Sequence, residues 1–228
     1  MIFLDECDLI FLLLLVSGCK TVFDRKISYY VAGSLVSATL GQFRTKAKLD
    51  IAVLDGENDN IYVWFGNGDG SFLVPGEYTI GESSISIVSA DFNDDQKTDV
   101  ATTNFDEGTV SVMLGNGNGN FREPRRYMVG IQPTWIVSSD FNTDNILDLA
   151  VTNAANGTVS VLLGIGDGTF ETALHYAVGI NPCSVASAHF NNDQNIDLAV
   201  TNYGDNTIII LLGEGNGTFQ RHWNYTVC

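Results

Sequence analysis

Three short stretches of the chain carry oxygen-bearing side chains at alternate positions. They read Asp91-Phe92-Asn93-Asp94-Asp95-Gln96-Lys97-Thr98-Asp99, Asp140-Phe141-Asn142-Thr143-Asp144-Asn145-Ile146-Leu147-Asp148 and His189-Phe190-Asn191-Asn192-Asp193-Gln194-Asn195-Ile196-Asp197. In the first two, side-chain oxygens recur at positions 1, 3, 5 and 9: Asp91, Asn93, Asp95 and Asp99, then Asp140, Asn142, Asp144 and Asp148. Position 7, Lys97 or Ile146, can offer its backbone carbonyl. Alternate residues of a tightly curled loop point inward, and Ca²⁺ takes six to eight hard oxygens from a flexible cage. Carboxylates this close repel one another unless a cation lies between them. Calcium binding is therefore the chemistry expected, at two sites. A third, weaker site is expected from Asn191, Asp193, Asn195 and Asp197, because His189 stands where the first Asp should be. The metal-free alternative is a set of Asx turns, which Asp and Asn favour in any case.

These loops belong to a repeat. Asp50-Ile51-Ala52-Val53 returns as Asp99-Val100-Ala101-Thr102, Asp148-Leu149-Ala150-Val151 and Asp197-Leu198-Ala199-Val200, each 49 residues after the last. Phe72, Phe121, Phe170 and Phe219 keep the same step, each closing a Gly-x-Gly-x-Gly-x-Phe segment, and Tyr29, Tyr78, Tyr127, Tyr176 and Tyr225 add a third register. Fixed-period self-similarity of this length marks a repeat architecture. Within one unit, strand signals fall at Thr134 to Ser138, Leu147 to Thr152, Thr158 to Leu163 and Ala173 to Val178, with Asn/Gly clusters such as Ala155-Asn156-Gly157 supplying tight hairpin turns. Four strands make one propeller blade, and a lone blade cannot hide both faces, so consecutive units are expected to stack around an axis. The aromatic registers are read as inter-blade core. The glycine runs are read as turns rather than phosphate cradles, since no helix is expected to follow them and no Lys lies among them.

The acidic loop, the Gly-x-Gly-x-Gly-x-Phe segment and the four-strand period together resemble FG-GAP (VCBS-type) repeats, best known from the β-propeller of integrin α-chains. The resemblance runs over roughly residues 29–228, and Phe65-Gly66 preserves the name-giving Phe-Gly. It implies calcium held by side chains at positions 1, 3, 5 and 9 with a carbonyl at 7, matching the residues above. It also implies a glycine at position 6, where this chain has Gln96, Asn145 and Gln194. Asn tolerates the left-handed conformation better than Gln, so the Asp140 loop is the favoured site. In the first unit the corresponding stretch, Gln42 to Asp50, puts Arg44 and Lys46 where ligands belong, and no ion is expected there. The fold class is thus all-β, a propeller-type array of four blades of four antiparallel strands. The blades are placed at about 34–80, 83–129, 132–178 and 181–228, with a spare outer strand at about 25–32. Relatives close rings of about seven blades, so the array is either a small ring or a partial, open propeller.

Charge supports this chemistry. The chain carries a formal −16, and beyond Lys48 five basic residues face 23 acidic ones, a net of −18. Such a field repels nucleic acid and attracts cations. Cys7, Cys19, Cys183 and Cys228 define no disulfide framework and show no zinc spacing. Residues 1–22 read as a signal-like or disordered leader: Leu9 to Val16 is an apolar run too short to span a bilayer, and Val16-Ser17-Gly18-Cys19 resembles a lipoprotein cleavage box. The expected location is outside the cell or on its surface, with membrane association only through an anchor at that N-terminus. Asn156-Gly157-Thr158, Asn216-Gly217-Thr218 and Asn224-Tyr225-Thr226 fit N-glycosylation sequons. No H-E-x-x-H or G-x-S-x-G occurs, and the chain is read as non-enzymatic. The resemblance implies a calcium-stabilised binding or adhesion module that meets an extracellular protein through blade-rim loops. The alternative is a carbohydrate-binding propeller, or the non-catalytic part of a carbohydrate-active enzyme.

Overall fold

A computed structural model describes residues 33–44 and 48–226. The leader, the spare strand at 25–32 with Tyr29, and Cys7, Cys19 and Cys228 lie outside the described residues. Sixteen strands form four antiparallel sheets with no helix among the described residues. Blade 1 holds β1 (Leu35–Gly41), β2 (Asp50–Asp55), β3 (Asn60–Trp64) and β4 (Gly76–Thr79). Blade 2 holds β5 (Ser84–Ala90), β6 (Asp99–Asn104), β7 (Thr109–Met113) and β8 (Arg125–Met128). Blade 3 holds β9 (Pro133–Ser139), β10 (Asp148–Asn153), β11 (Thr158–Leu162) and β12 (Leu174–Ala177). Blade 4 holds β13 (Pro182–Ala188), β14 (Asp197–Asn202), β15 (Thr207–Gly213) and β16 (Phe219–Thr226). Each sheet is an up-and-down meander in chain order. The 49-residue step is kept throughout, and the first two strands of each blade pair with one register shift near the start of the first strand, as between Leu35 and Ser37, beyond which that pairing is regular and keeps the core face inward.

Each blade packs one face on the next. Ala101, Val110 and Val112 of blade 2 meet Leu149, Val151 and Leu162 of blade 3 in one core, and the other two seams repeat the pattern. The aromatic registers converge at each seam. Phe92 and Tyr127 set their rings edge-on to Phe170 of the next blade, at 5.7 and 5.5 Å between centroids. Phe43 and Tyr78 do the same to Phe121, and Phe141 and Tyr176 to Phe219. Edge-to-face pairs of this kind add about 0.5–1.5 kcal/mol beyond area burial. The expected inter-blade role is thereby met by Phe121, Phe170 and Phe219 and by Tyr78, Tyr127 and Tyr176, and Phe43, Phe92 and Phe141 join them.

The array is open. Strands pack from blade 1 to 2, 2 to 3 and 3 to 4, but no comparable packing joins blade 4 to blade 1 among the described residues. Blade 4 therefore shows solvent the face its siblings bury. Phe190 is 48% exposed where Phe43, Phe92 and Phe141 are 2% or less, and Tyr225 is 53% exposed.

Candidate functional site

The three acidic loops connect the first and second strands of blades 2, 3 and 4, all at one end of the array. The Gly-x-Gly-x-Gly-x-Phe loops, between the third and fourth strands, lie at the same end. Each acidic loop curls on its own carboxylates. Asp140 accepts the Asp144 amide on Oδ1 at 3.2 Å and the Asn145 amide on Oδ2 at 2.8 Å, while Asp144 Oδ1 accepts the Ile146 amide at 2.7 Å. Asp91 does the same for Asn93, Asp95 and Gln96. The side chains at positions 1, 3 and 5 thus turn toward one interior. Position 6 is left-handed in all three loops, with φ of +62° at Gln96, +66° at Asn145 and +67° at Gln194, as the missing glycine led one to expect.

The loops differ in what neutralises them. In blade 2, Lys97 Nζ reaches back to Asp95 Oδ2 at 2.9 Å, placing an ammonium against the position-5 carboxylate. In blade 4, His189 Nδ1 lies 2.8 Å from the Asn195 carbonyl. A carbonyl only accepts, so the imidazole N–H donates and ties position 1 to position 7 directly. In blade 1, Arg44 Nη2 sits 2.9 Å from Asp50 Oδ1 and also donates to the Gly66 carbonyl. Only the blade 3 loop has no basic side chain of its own: Asp140, Asn142 and Asp144 face one another, with Asn142 Nδ2 donating to Asp144 Oδ2 at 2.8 Å. Among the described residues no three His, Cys, Asp or Glu side chains converge closely enough to hold an ion by themselves. Amide and carbonyl oxygens would have to complete a cage, as hard-cation chemistry allows.

The position-9 aspartate has a second occupation that spacing did not reveal. Asp148 is fully buried, its Oδ2 accepting the Phe141 amide and its Oδ1 the Gly164 amide, both at 2.8 Å. Asp99 and Asp197 make the same two bonds, to Phe92 and Gly115 and to Phe190 and Gly213. This carboxylate is a bracket that pins the acidic loop to the glycine loop beside it. Burial first, then the neighbouring acids Asp144 and Asp140, push the Asp148 carboxyl up to about 6. Burial first, then Asp91 and Asp95, push Asp99 up to about 6 as well. The recurring glycine opposite follows from the same packing: a Cβ on Gly164 would come within 2.5 Å of the Leu147 carbonyl.

At the other end of the array, turns between second and third strands alternate with blade-to-blade connections. A cleft of about 730 Å³ opens there in the seam between blades 2 and 3. His175, read from sequence as a strand residue, lines it. Its Nδ1 lies 2.9 Å from Ser160 Oγ. Ser160 is fully buried and also meets the Val129 carbonyl at 2.9 Å, which can only accept, so the serine proton is committed there. The Ser160–His175 pair is therefore a packing contact, with no nucleophile offered to solvent. Cys183 is a free, exposed thiol.

Residues 47–102 and 91–151 match the FG-GAP-like repeat family. Over those residues the chain carries FG-GAP-like repeats. No curated protein matches it in sequence. Among solved structures it is similar to an Agrocybe aegerita lectin that recognises non-reducing terminal N-acetylglucosamine, with 19% identity, TM-score 0.57, and 79% of this chain and 49% of that one covered. It is also similar to candidate 6-phosphogluconolactonases from Bacteroides fragilis (17% identity, TM-score 0.66, 85% and 55% covered) and Bacteroides uniformis (13%, 0.67, 85% and 55%). At such identities the likeness is one of fold, and this repeat array spans about half the length of these neighbours.

Proposed function

We propose that this FG-GAP repeat array is a non-catalytic, calcium-stabilised binding module that works outside the cell or at its surface and contacts an extracellular protein through loops at the blade rims. The observation that carries the calcium reading is the blade 3 loop. It gathers Asp140, Asn142 and Asp144 on a curled backbone, with the Ile146 carbonyl and the buried Asp148 beside them, and has no built-in cation. In its siblings Lys97 pairs with Asp95, and His189 bonds the Asn195 carbonyl. Calcium would supply the missing positive charge and staple the loop end, a structural task rather than a chemical one. The blade 2 set, Asp91, Asn93, Asp95, the Lys97 carbonyl and Asp99, would bind after displacing the Lys97 ammonium and so more weakly. The blade 4 set, Asn191, Asp193, Asn195 and Asp197, would compete with an existing His189 bond.

The test is thermal unfolding with calcium and with EDTA. Extracellular modules of this chemistry bind with Kd of about 10⁻⁴–10⁻³ M, so free calcium at about 100 times Kd should add about 2.7 kcal/mol. Asp140→Asn should remove most of that gain and Asp91→Asn a minor part. A melting temperature indifferent to calcium would end the metal reading. A carbohydrate-binding role is the second reading, favoured by the likeness of fold to a sugar-recognising lectin.

A further inference from the structure

The seams between blades are built on one plan, and only the seam between blades 1 and 2 carries an arginine plug, the later registers holding His175 and Asn224. In the seam between blades 1 and 2, Arg126 reaches across, donates to the Ile80 carbonyl at 3.2 Å, and pairs with Glu107 at 3.2 Å. One repeat later the same registers hold His175 and Asn156. The carbonyl equivalent to Ile80, that of Val129, is taken by Ser160, and His175 folds inward against the same hydroxyl. A cleft of about 730 Å³ opens at the registers that the arginine spans in the first seam, within the roughly 300–1,000 Å³ of small-molecule sites.

Its lining has a definite chemistry. Met128 and Ile131 stand exposed at its edge, 73% and 60% accessible, above Val129 and Ala173. Around this apolar floor stand Asp106, Gln132, Asn156 and His175. Because Nδ1 of His175 donates to Ser160, Nε2 is an acceptor in the neutral imidazole. Asn156 Oδ1 already accepts the Ile131 amide, which leaves Nδ2 as a donor. The acids do not gather here as a cation cage: Glu107 is paired with Arg126, which leaves the single carboxylate of Asp106, itself bonded by the Ser83 hydroxyl. Anions are disfavoured by the same carboxylates. An apolar patch ringed by amide and imidazole groups and one carboxylate suits a ligand with hydroxyls around a C–H face.

We propose that the seam between blades 2 and 3 binds one neutral glycosyl unit, its C–H face on Met128 and Ile131 and its hydroxyls on Asp106, Asn156, Gln132 and His175 Nε2. This rests on reading the chain as a binding module and names a site at the end opposite the acidic loops. The test installs the plug of the first seam. The double variant His175→Arg/Asn156→Glu copies the pair that already fills the neighbouring seam, so the fold should tolerate it. Methyl glycosides of glucose, galactose, mannose and N-acetylglucosamine are titrated by NMR into protein made without glycosylation, so that Asn156 is unmodified.

At least one glycoside should bind the wild type with Kd of about 1 mM and shift the Gln132 and Asn156 side-chain amides, and the double variant should bind it at least about tenfold more weakly. Gln132→Ala, an exposed change that leaves the fold alone, should weaken binding severalfold. The proposal is overturned if none of the glycosides moves those amides, or if both variants bind like wild type. It is equally overturned if the peptide acetyl-Leu-Arg-Leu-amide occupies the seam while the glycosides do not. Calcium-dependent melting, read in parallel, reports only the acidic loops, so failure of either reading is seen separately.

Discussion

Replacing Asp148 by asparagine tests whether the buried carboxylate is the bracket described here. Asp148 is 0% exposed, accepts two backbone amides at 2.8 Å, and is pushed by burial from the ordinary 3.8 to about 6. Its proton is therefore held more tightly in the folded protein than in the unfolded chain. The associated stability is fully present below pH 3.8 and is lost as pH rises through about 6. At about 1.4 kcal/mol for each pH unit of that window, the total is about 3 kcal/mol. The replacement amide would not titrate and would offer one acceptor to two amides, leaving a buried donor unpaired at a cost of about 1–3 kcal/mol at every pH.

Urea unfolding followed by tryptophan fluorescence, in EDTA at pH 4, 5, 6 and 7, separates the two terms. Between pH 6 and 4 the wild type should gain on Asp148→Asn by about 1.4 kcal/mol per pH unit. Asp99→Asn should behave alike, because Asp99 is raised for the same reason. Parallel pH profiles for wild type and variant would refute the reasoning, as would a variant that gains on the wild type as pH falls.

Arg44→Met strands the fully buried Asp50 carboxylate and should lower unfolding stability by about 3–5 kcal/mol at pH 7. Adding Asp50→Asn should recover much of it, and urea titration of the single and double variants reads both. Phe141→Ala empties a seam and should cost about 3–5 kcal/mol; the same change at Phe190, 48% exposed on the open face of blade 4, should cost under about 1 kcal/mol. Gln96→Gly, at φ +62°, should raise the melting temperature by the equivalent of about 0.5–1 kcal/mol, and Asn145→Gly, at φ +66°, by less, because Asn already tolerates this region. Equal gains would contradict the assignment of strain to the side chain.

What the sequence determined by itself was whatever recurs at fixed spacing. The 49-residue step placed sixteen strands in four sheets, because a strand's hydrophobic alternation and its turn residues are written within a few positions of each other. It marked Tyr127 and Phe170 as inter-blade core, and the resemblance to FG-GAP repeats implied the left-handed corner at position 6 of each acidic loop. It also singled out the Asp140 loop and set aside the blade 1 stretch, since Arg44 stood where an oxygen was needed.

Tertiary structure decided the matters that turn on distance between residues far apart in the chain, or on where one flexible side chain goes. Spacing could not show that Asp148 reaches Gly164, sixteen residues on, and so serves as a bracket. Nor could it show that Lys97 folds back on Asp95 rather than into solvent, or that His189 closes its loop on the Asn195 carbonyl. Whether four blades meet in a ring depends on the rotation accumulated from seam to seam, and the array stays open. The cleft between blades 2 and 3 depends on Arg126 spanning one seam while His175, in the same register, turns inward at the next. The repeat predicted sameness, and the candidate sites lie where packing broke it.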